Sequence, residues 1–160
     1  MATEKLKFKL ELFATMWNKP PHAEILVNDK VHFKGDITGT EESPNLIEFE
    51  HEFEQGQDGK LSIIRSGKTS NQTVVGPQGT IESDQILHLK NIEIDEIHIG
   101  ALVYEGVYTP QYPEPWASQQ RQAGVELPES YKNVTQIGHN GLWEFKFLSP
   151  FYMWLLENLY

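Results

Sequence analysis

Three features of this 160-residue chain predict an all-β fold, a single β-sandwich domain of jelly-roll type spanning residues 1–160. Apolar and polar side chains alternate strictly in three separate segments, 5–12, 46–54 and 143–147, the two-residue period of a strand with one face buried. Short apolar runs separated by turn residues fill much of the rest, making about eight strands in all, which suits a jelly roll. The third feature is the stretch 84–108, DQILHLKNIEIDEIHIGALVYEGVY, whose aliphatic residues fall in pairs: Leu87 and Leu89, Ile92 and Ile94, Ile97 and Ile99. The period is two within each pair, but the phase slips between pairs. A helix would space the same residues three and four apart, so each slip implies an extra residue at a bulge or corner. Such a strand belongs at the centre of a sandwich, paired on both sides, with Gly100 and Gly106 giving close backbone approach or further turns.

Along the chain, Leu6, Phe8, Leu10 and Leu12 share one face of the first strand, and Lys5, Lys7, Lys9 and Glu11 share the other. The Asn-Lys-Pro-Pro turn after Trp17 leads to two strands, 24–27 and 31–37, flanking Asn28-Asp29, the turn signal of a hairpin. In the next strand Ile47, Phe49, His51 and Phe53 face one way, and Glu48, Glu50, Glu52 and Glu54 the other. Those carboxylates stand about 7 Å apart, two residue rises, and a solvated face accounts for them. A Gly-bearing turn at 55–60, a strand at 61–65, a polar loop SGKTSNQT and a short strand at 73–75 lead to the central stretch.

The region 110–140 changes character, because Pro110, Pro113, Pro115 and Pro128 break any regular sheet pattern. A segment this long without strands is a functional loop or contains a helix. A helix fits 116–123, with Pro115 at its first position and Gly124 closing it. After the last strand, the terminal SPFYMWLLENLY reads as a short helix over 149–160, with Ser149 as cap, Pro150 at the first position, and Phe151, Trp154, Leu155 and Leu159 on one side. So apolar a segment requires cover, either from the domain itself or from a subunit interface.

Composition narrows the functions. The chain has no cysteine, which excludes disulfides and thiolate metal sites, and a formal net charge of -10 at pH 7, which argues against nucleic acid or an anionic membrane surface as partner. The N-terminal MATEKLKFKL alternates charged and apolar residues, unlike a signal peptide, and no stretch is long and apolar enough to span a membrane. The six histidines show no HxH or HxxxH spacing. Nucleophile elbow, P-loop and dinucleotide fingerprint are all absent. The remaining route to catalysis is a pair of carboxylates facing across a groove; the expectation is a protein that is not an enzyme.

Aromatic residues carry the strongest functional signal. Tyr104, Tyr108, Tyr112, Trp116 and Tyr131 fall in or beside the Pro-rich region, where no sheet pattern demands them. Flat rings on a stiff loop stack against the apolar C–H faces of sugars, while neighbouring amides and carboxylates bond the hydroxyls. Tyr112 and Trp116, both flanked by prolines, and Tyr108 are therefore the expected carbohydrate-binding residues. The competing reading is that these rings cover the sheet.

The unit 61–95, with its polar loop RSGKTSNQT followed by DQILHLKNIEID, resembles the corresponding unit of calcium-dependent xylan-binding carbohydrate-binding modules. In that family an acidic residue opens the central strand ahead of alternating aliphatics, as Asp84 does here. The resemblance implies a calcium ion at one end of the sandwich, where the loop before Leu61 meets the loop before Ile86. Asp58, Asp84, Asn71 and Gln72 are the expected ligands, with Asn71 and Gln72 standing where the family has acidic residues. Calcium takes six to eight oxygen ligands, and adjacent sugar hydroxyls would complete the set.

The segments YTPQYPEPWASQQRQAG, GHNGLWEFKF and PFYMWLLENLY are similar to small proteins encoded by large tailed phages of marine bacteria, cyanophages among them. Together the resemblances imply a virion component made in the host cytoplasm that recognises host or environmental glycans. The alternative is a virion structural protein, a decoration or fibre subunit, that meets other virion proteins or a second copy through its C-terminal aromatics.

Overall fold

The computed structural model describes residues 2–15, 19–67, 74–75, 81–99, 106–112, 114–132 and 134–159. In chain order its strands are β1 (Thr3–Thr15), β2 (His22–Val27), β3 (Lys30–Asp36), β4 (Asn45–Glu54), β5 (Asp58–Ser66), β6 (Val74–Val75), β7 (Ile81–Ser83), β8 (Ile86–Ile94), β9 (Ile97–His98) and β10 (Val107–Pro110). Helix α1 (Trp116–Gln122) follows, then β11 (Tyr131–Lys132), β12 (Gln136–Ile137), β13 (Gly141–Leu148) and helix α2 (Phe151–Leu159). Two antiparallel sheets face each other, one ordered β12-β8-β1-β4 with β9 hairpinned on β8, the other β11-β10-β13-β5-β2-β3. The sandwich is therefore as expected, although thirteen strand segments among the described residues exceed the eight anticipated.

Alternation dictates the core. Leu6, Phe8, Leu10 and Leu12 of β1 are buried, and so are Leu61 and Ile63 of β5 and Trp143, Phe145 and Phe147 of β13. The sheets meet through rings: Phe147 lies 6.3 Å from Phe8 and 5.6 Å from Phe53 between ring centroids. Outside, Lys5, Lys7 and Lys9 stand opposite Glu52, Glu50 and Glu48 in the β1–β4 register, so the glutamate row is a solvated, lysine-matched face.

Both phase slips of the central stretch have structural causes. In the β1–β8 pairing Leu12 faces Leu89 while Glu11 faces Asn91, so exposed Lys90 is the extra residue of a bulge. The second slip is the turn at Asp95 (φ 55°) and Glu96 (φ 67°), which sends the chain back into β9. The same chemistry serves the β2–β3 hairpin, where Asn28 and Asp29 adopt φ of 48° and 68°. Gly100 lies outside the described residues. Gly106 marks a close approach, since a Cβ there would overlap the Trp143 indole.

The region 110–140 differs from expectation in holding sheet as well as helix. Tyr131 pairs with Tyr108, and Ile137, fully buried, pairs with Leu87. Strands β11 and β12 thus belong to opposite sheets on the same side of the sandwich. On the opposite side the edge strands β3 and β4 are joined by His32, whose ring stacks on Phe49 at 4.4 Å and whose Nε2 lies 2.9 Å from His51 Nδ1.

Helix α2 docks on its own sheet. Phe151 is fully buried against Phe147, and the Trp154 ring stands edge-on to Phe145 at 5.7 Å. Its cap is not Ser149 acting alone: the Glu4 carboxylate on β1 accepts both the Phe151 N–H (3.1 Å) and the Ser149 hydroxyl (2.8 Å). A carboxylate suits this position because the unpaired N–H groups of a helix start carry partial positive charge. The side chain of Leu159 is outside what the structure describes, while Tyr152, Met153 and Leu156 are exposed.

Candidate functional site

Strand β5 links the two ends of the sandwich and shows which residues can meet. At its far end lies Arg65, 1% exposed, whose guanidinium donates to the Gln85 backbone carbonyl (2.6 Å), to Gln85 Oε1 (2.8 Å) and to Asn140 Oδ1 (3.2 Å). Burial lowers its pKa to about 10, partly offset by Tyr108 and Asp84. A buried cation is costly unless its donors are met. Here the Nη1 and Nη2 donors tie the start of β8 to the turn before β13, while the buried Nε has no partner among the described residues, and Gln85 in turn donates from Nε2 to the Lys19 carbonyl (2.8 Å). The loop end is therefore cross-braced from beneath.

The next tier is Tyr108. It faces Trp143 in the β10–β13 register, on the core side of the sheet, and is 4% exposed. Its hydroxyl donates to the His139 carbonyl (2.7 Å) and accepts the His139 N–H (3.0 Å). Burial pushes its pKa up to about 12, with the Arg65 charge and the His139 bond opposing, so the phenol stays neutral. This corrects the expectation for Tyr108: it has no face to offer a ligand, because strand alternation turns it inward. It holds His139 instead.

Above it the rings assemble. Tyr112 lies 6.2 Å from Trp116 and 5.3 Å from His139, edge to face, and Trp116 lies 5.6 Å from His139. The Tyr112 hydroxyl donates to the Pro128 carbonyl (2.6 Å) and so accepts from the Tyr131 hydroxyl (3.1 Å). Burial raises the Tyr112 pKa. Ala117, buried at 1% exposure, anchors α1 and fixes Trp116 at its first turn. Trp116 and Tyr131 remain 38% and 37% exposed. Two of the three expected sugar-binding residues, Tyr112 and Trp116, thus come together with Tyr131. Tyr104 lies outside the described residues. His139 was missed, and its only sequence signal is its place between turn residues in GHNG.

The four expected calcium ligands do not form one described set. Asn71 and Gln72 lie outside the described residues. Asp58 opens β5, opposite Leu148, whereas Asp84 precedes Gln85 at the Arg65 end. Seven residue rises separate Asp58 from Arg65, about 23 Å at 3.3 Å each. No single ion bridges that gap. Among the described residues no three His, Cys, Asp or Glu side chains gather as a metal site.

The architecture defines a two-sheet antiparallel sandwich with a braced loop end. Solved structures that share this fold include the selenomethionine form of vCBM60, described in connection with circular permutation between two families of calcium-dependent carbohydrate-binding modules. The TM-score is 0.50 at 8% identity, with 88% of this chain and 89% of that one covered. vCBM60 in complex with galactobiose matches with a TM-score of 0.49 at 9% identity over 87% and 96% of the two chains. No family model and no curated protein matches the sequence.

Proposed function

We propose that this protein is a non-catalytic carbohydrate-binding module of a phage particle, and that Trp116 and Tyr131, backed by Tyr112 and His139, form its sugar-stacking platform. The observation that carries the reading is the pair of exposed rings at the loop end, beside His139 and Asn140, which are held by partly buried bonds from Tyr108 and Arg65. Rings fixed before binding lose little conformational freedom when a ligand arrives. The fold adds support, since the vCBM60 structure is named as a carbohydrate-binding module. Stacking on the platform needs no metal, and Asp58 and Asp84 are too far apart to share one ion.

The test is affinity electrophoresis of the full chain in gels containing neutral polysaccharides, together with a glycan array. Retardation by at least one glycan, lost in Trp116→Ala with an unchanged circular-dichroism spectrum, is expected. Unfolding of Trp116→Ala, or no retention on any glycan, overturns the proposal.

A second reading, a virion structural protein without a sugar ligand, is favoured by Tyr152, Met153 and Leu156, exposed at 45%, 60% and 61% along α2. It predicts self-association, measured as mass in solution, that Leu156→Glu abolishes.

A further inference from the structure

The opposite end of the sandwich holds a cleft of about 700 Å³ between the β2–β3 turn, the start of β5, the end of β13 and α2. Its apolar lining is the buried Phe147, the half-buried Trp154 and Leu148, 46% exposed. Its rim carries charges of both signs. Lys60 is shared between Asp29 at 3.2 Å and Glu144 at 3.6 Å, but Lys146 and Asp58 have no side-chain partner among the described residues. Gln57 uses Oε1 to accept the Glu54 N–H (3.0 Å), which leaves its Nε2 as a donor on the rim. The turn is rigid: Asn28 donates from Nδ2 to the Asp58 carbonyl (3.0 Å) and accepts the Lys60 N–H at Oδ1 (2.8 Å).

From this arrangement we propose that the cleft is a second ligand site, separate from the platform, for a neutral polyhydroxylated ring compound, an oligosaccharide. An ammonium and an amide donate, a carboxylate accepts, and a hydroxyl does both, so hydroxyls placed around a ring satisfy Lys146, Gln57 and Asp58 together. The indole and Leu148 take the ring's apolar face. The balance of one free cation and one free anion disfavours a charged ligand, which one of the two would repel. The volume falls in the range of small-ligand sites, roughly 300–1,000 Å³. Two sites at opposite ends let one copy of the chain bridge two glycan strands and gain avidity without oligomerising. The inference extends the carbohydrate reading to a new place and does not depend on the platform.

The test is a nitrogen-15 NMR titration of the full-length Trp116→Ala protein, in which the platform is removed, with xylohexaose, cellohexaose and mannohexaose at millimolar concentration. Shifts of the Trp154 indole N–H and of the Asp58 and Lys146 amides with at least one of them are expected. Asp58→Asn combined with Lys146→Ala, both exposed, should weaken that binding at least tenfold at an unchanged melting temperature. The absence of these shifts with all three sugars, or shifts that the double variant leaves intact, overturns the second site. The Tyr131 amide of the native protein reports the platform independently, so failure at one end is distinguishable from failure at the other.

Discussion

The hydroxyl of Tyr108 makes two bonds to one residue, donating to the carbonyl of His139 at 2.7 Å and accepting its N–H at 3.0 Å. A core side chain in β10 thereby fixes the backbone of a residue whose imidazole touches both Tyr112 and Trp116. Tyr108→Phe keeps the ring in the core and strips the bonds from the partly buried N–H and carbonyl of His139. The expected cost is about 1–3 kcal/mol in denaturant unfolding. Retention on the polysaccharide that binds the native protein should fall as well, although Tyr108 cannot reach the ligand. If stability drops while retention is unchanged, His139 is not part of the platform.

The residues most legible in the sequence are those whose neighbours along the strand constrain them. The pairs Leu87 and Leu89, Ile92 and Ile94 announce their own bulge, because a sheet face accepts apolar residues only at every second position. Tyr108 follows the same rule, but four strand residues, Val107–Pro110, are too few to reveal a phase, and the adjacent prolines suggested a loop. The platform depends on contacts between residues far apart in sequence. Tyr131 meets Tyr112 through a two-residue strand that no periodicity can signal, and His139 is placed by a bond 31 residues distant. The resemblance groups Asp58 with Asp84 across two loops taken to meet, yet β5 runs the length of the sandwich between them.

Glu4 governs the docking of α2. Its carboxylate takes the Phe151 N–H at 3.1 Å and 3.2 Å and the Ser149 hydroxyl at 2.8 Å. Glu4→Ala should cost about 1–2 kcal/mol, the range for losing a helix cap, read as a lowered melting temperature. Ser149→Ala should cost less, since the Phe151 bonds survive. Equal losses would return the capping role to Ser149. Removing residues 150–160 is the severe version: it strips Phe151 and Leu155, 0% and 6% exposed, and should unfold the domain.

Chelation separates the platform from the calcium expectation. With Asp58 and Asp84 at opposite ends of β5, excess EDTA should leave both the melting temperature and polysaccharide retention unchanged. A metal bound only by the folded state would stabilise it by mass action, about 2.7 kcal/mol at a hundredfold excess over Kd. A fall in melting temperature with EDTA that calcium restores would therefore reveal a cation site and overturn this prediction in favour of calcium.

The pair His32 and His51 is expected to make the fold less stable in acid. Their ring nitrogens approach to 2.9 Å across the β3 and β4 edges, one donating and one accepting. Burial lowers both pKa values, joined for His32 by repulsion from His51 and Lys30, and for His51 by repulsion from Lys30. One proton is tolerated, because an imidazolium still donates to a neutral ring. Two protons set N–H against N–H and break the bridge between the sheets. Because the folded-state values lie below the ordinary 6.5, these groups contribute their full stability above about pH 6.5. That contribution is lost as pH falls through 6.5 towards the folded values. His88, lowered by burial while it stacks on Phe13 and bonds Thr15, adds loss in the same direction. Unfolding free energy should thus decline from pH 7 to pH 5, and His51→Gln, which keeps a hydrogen-bonding amide but does not titrate, should flatten the decline. Proton NMR of the imidazole C–H signals should place both members of the pair below 6.5; a midpoint above that value in either would reverse the predicted slope.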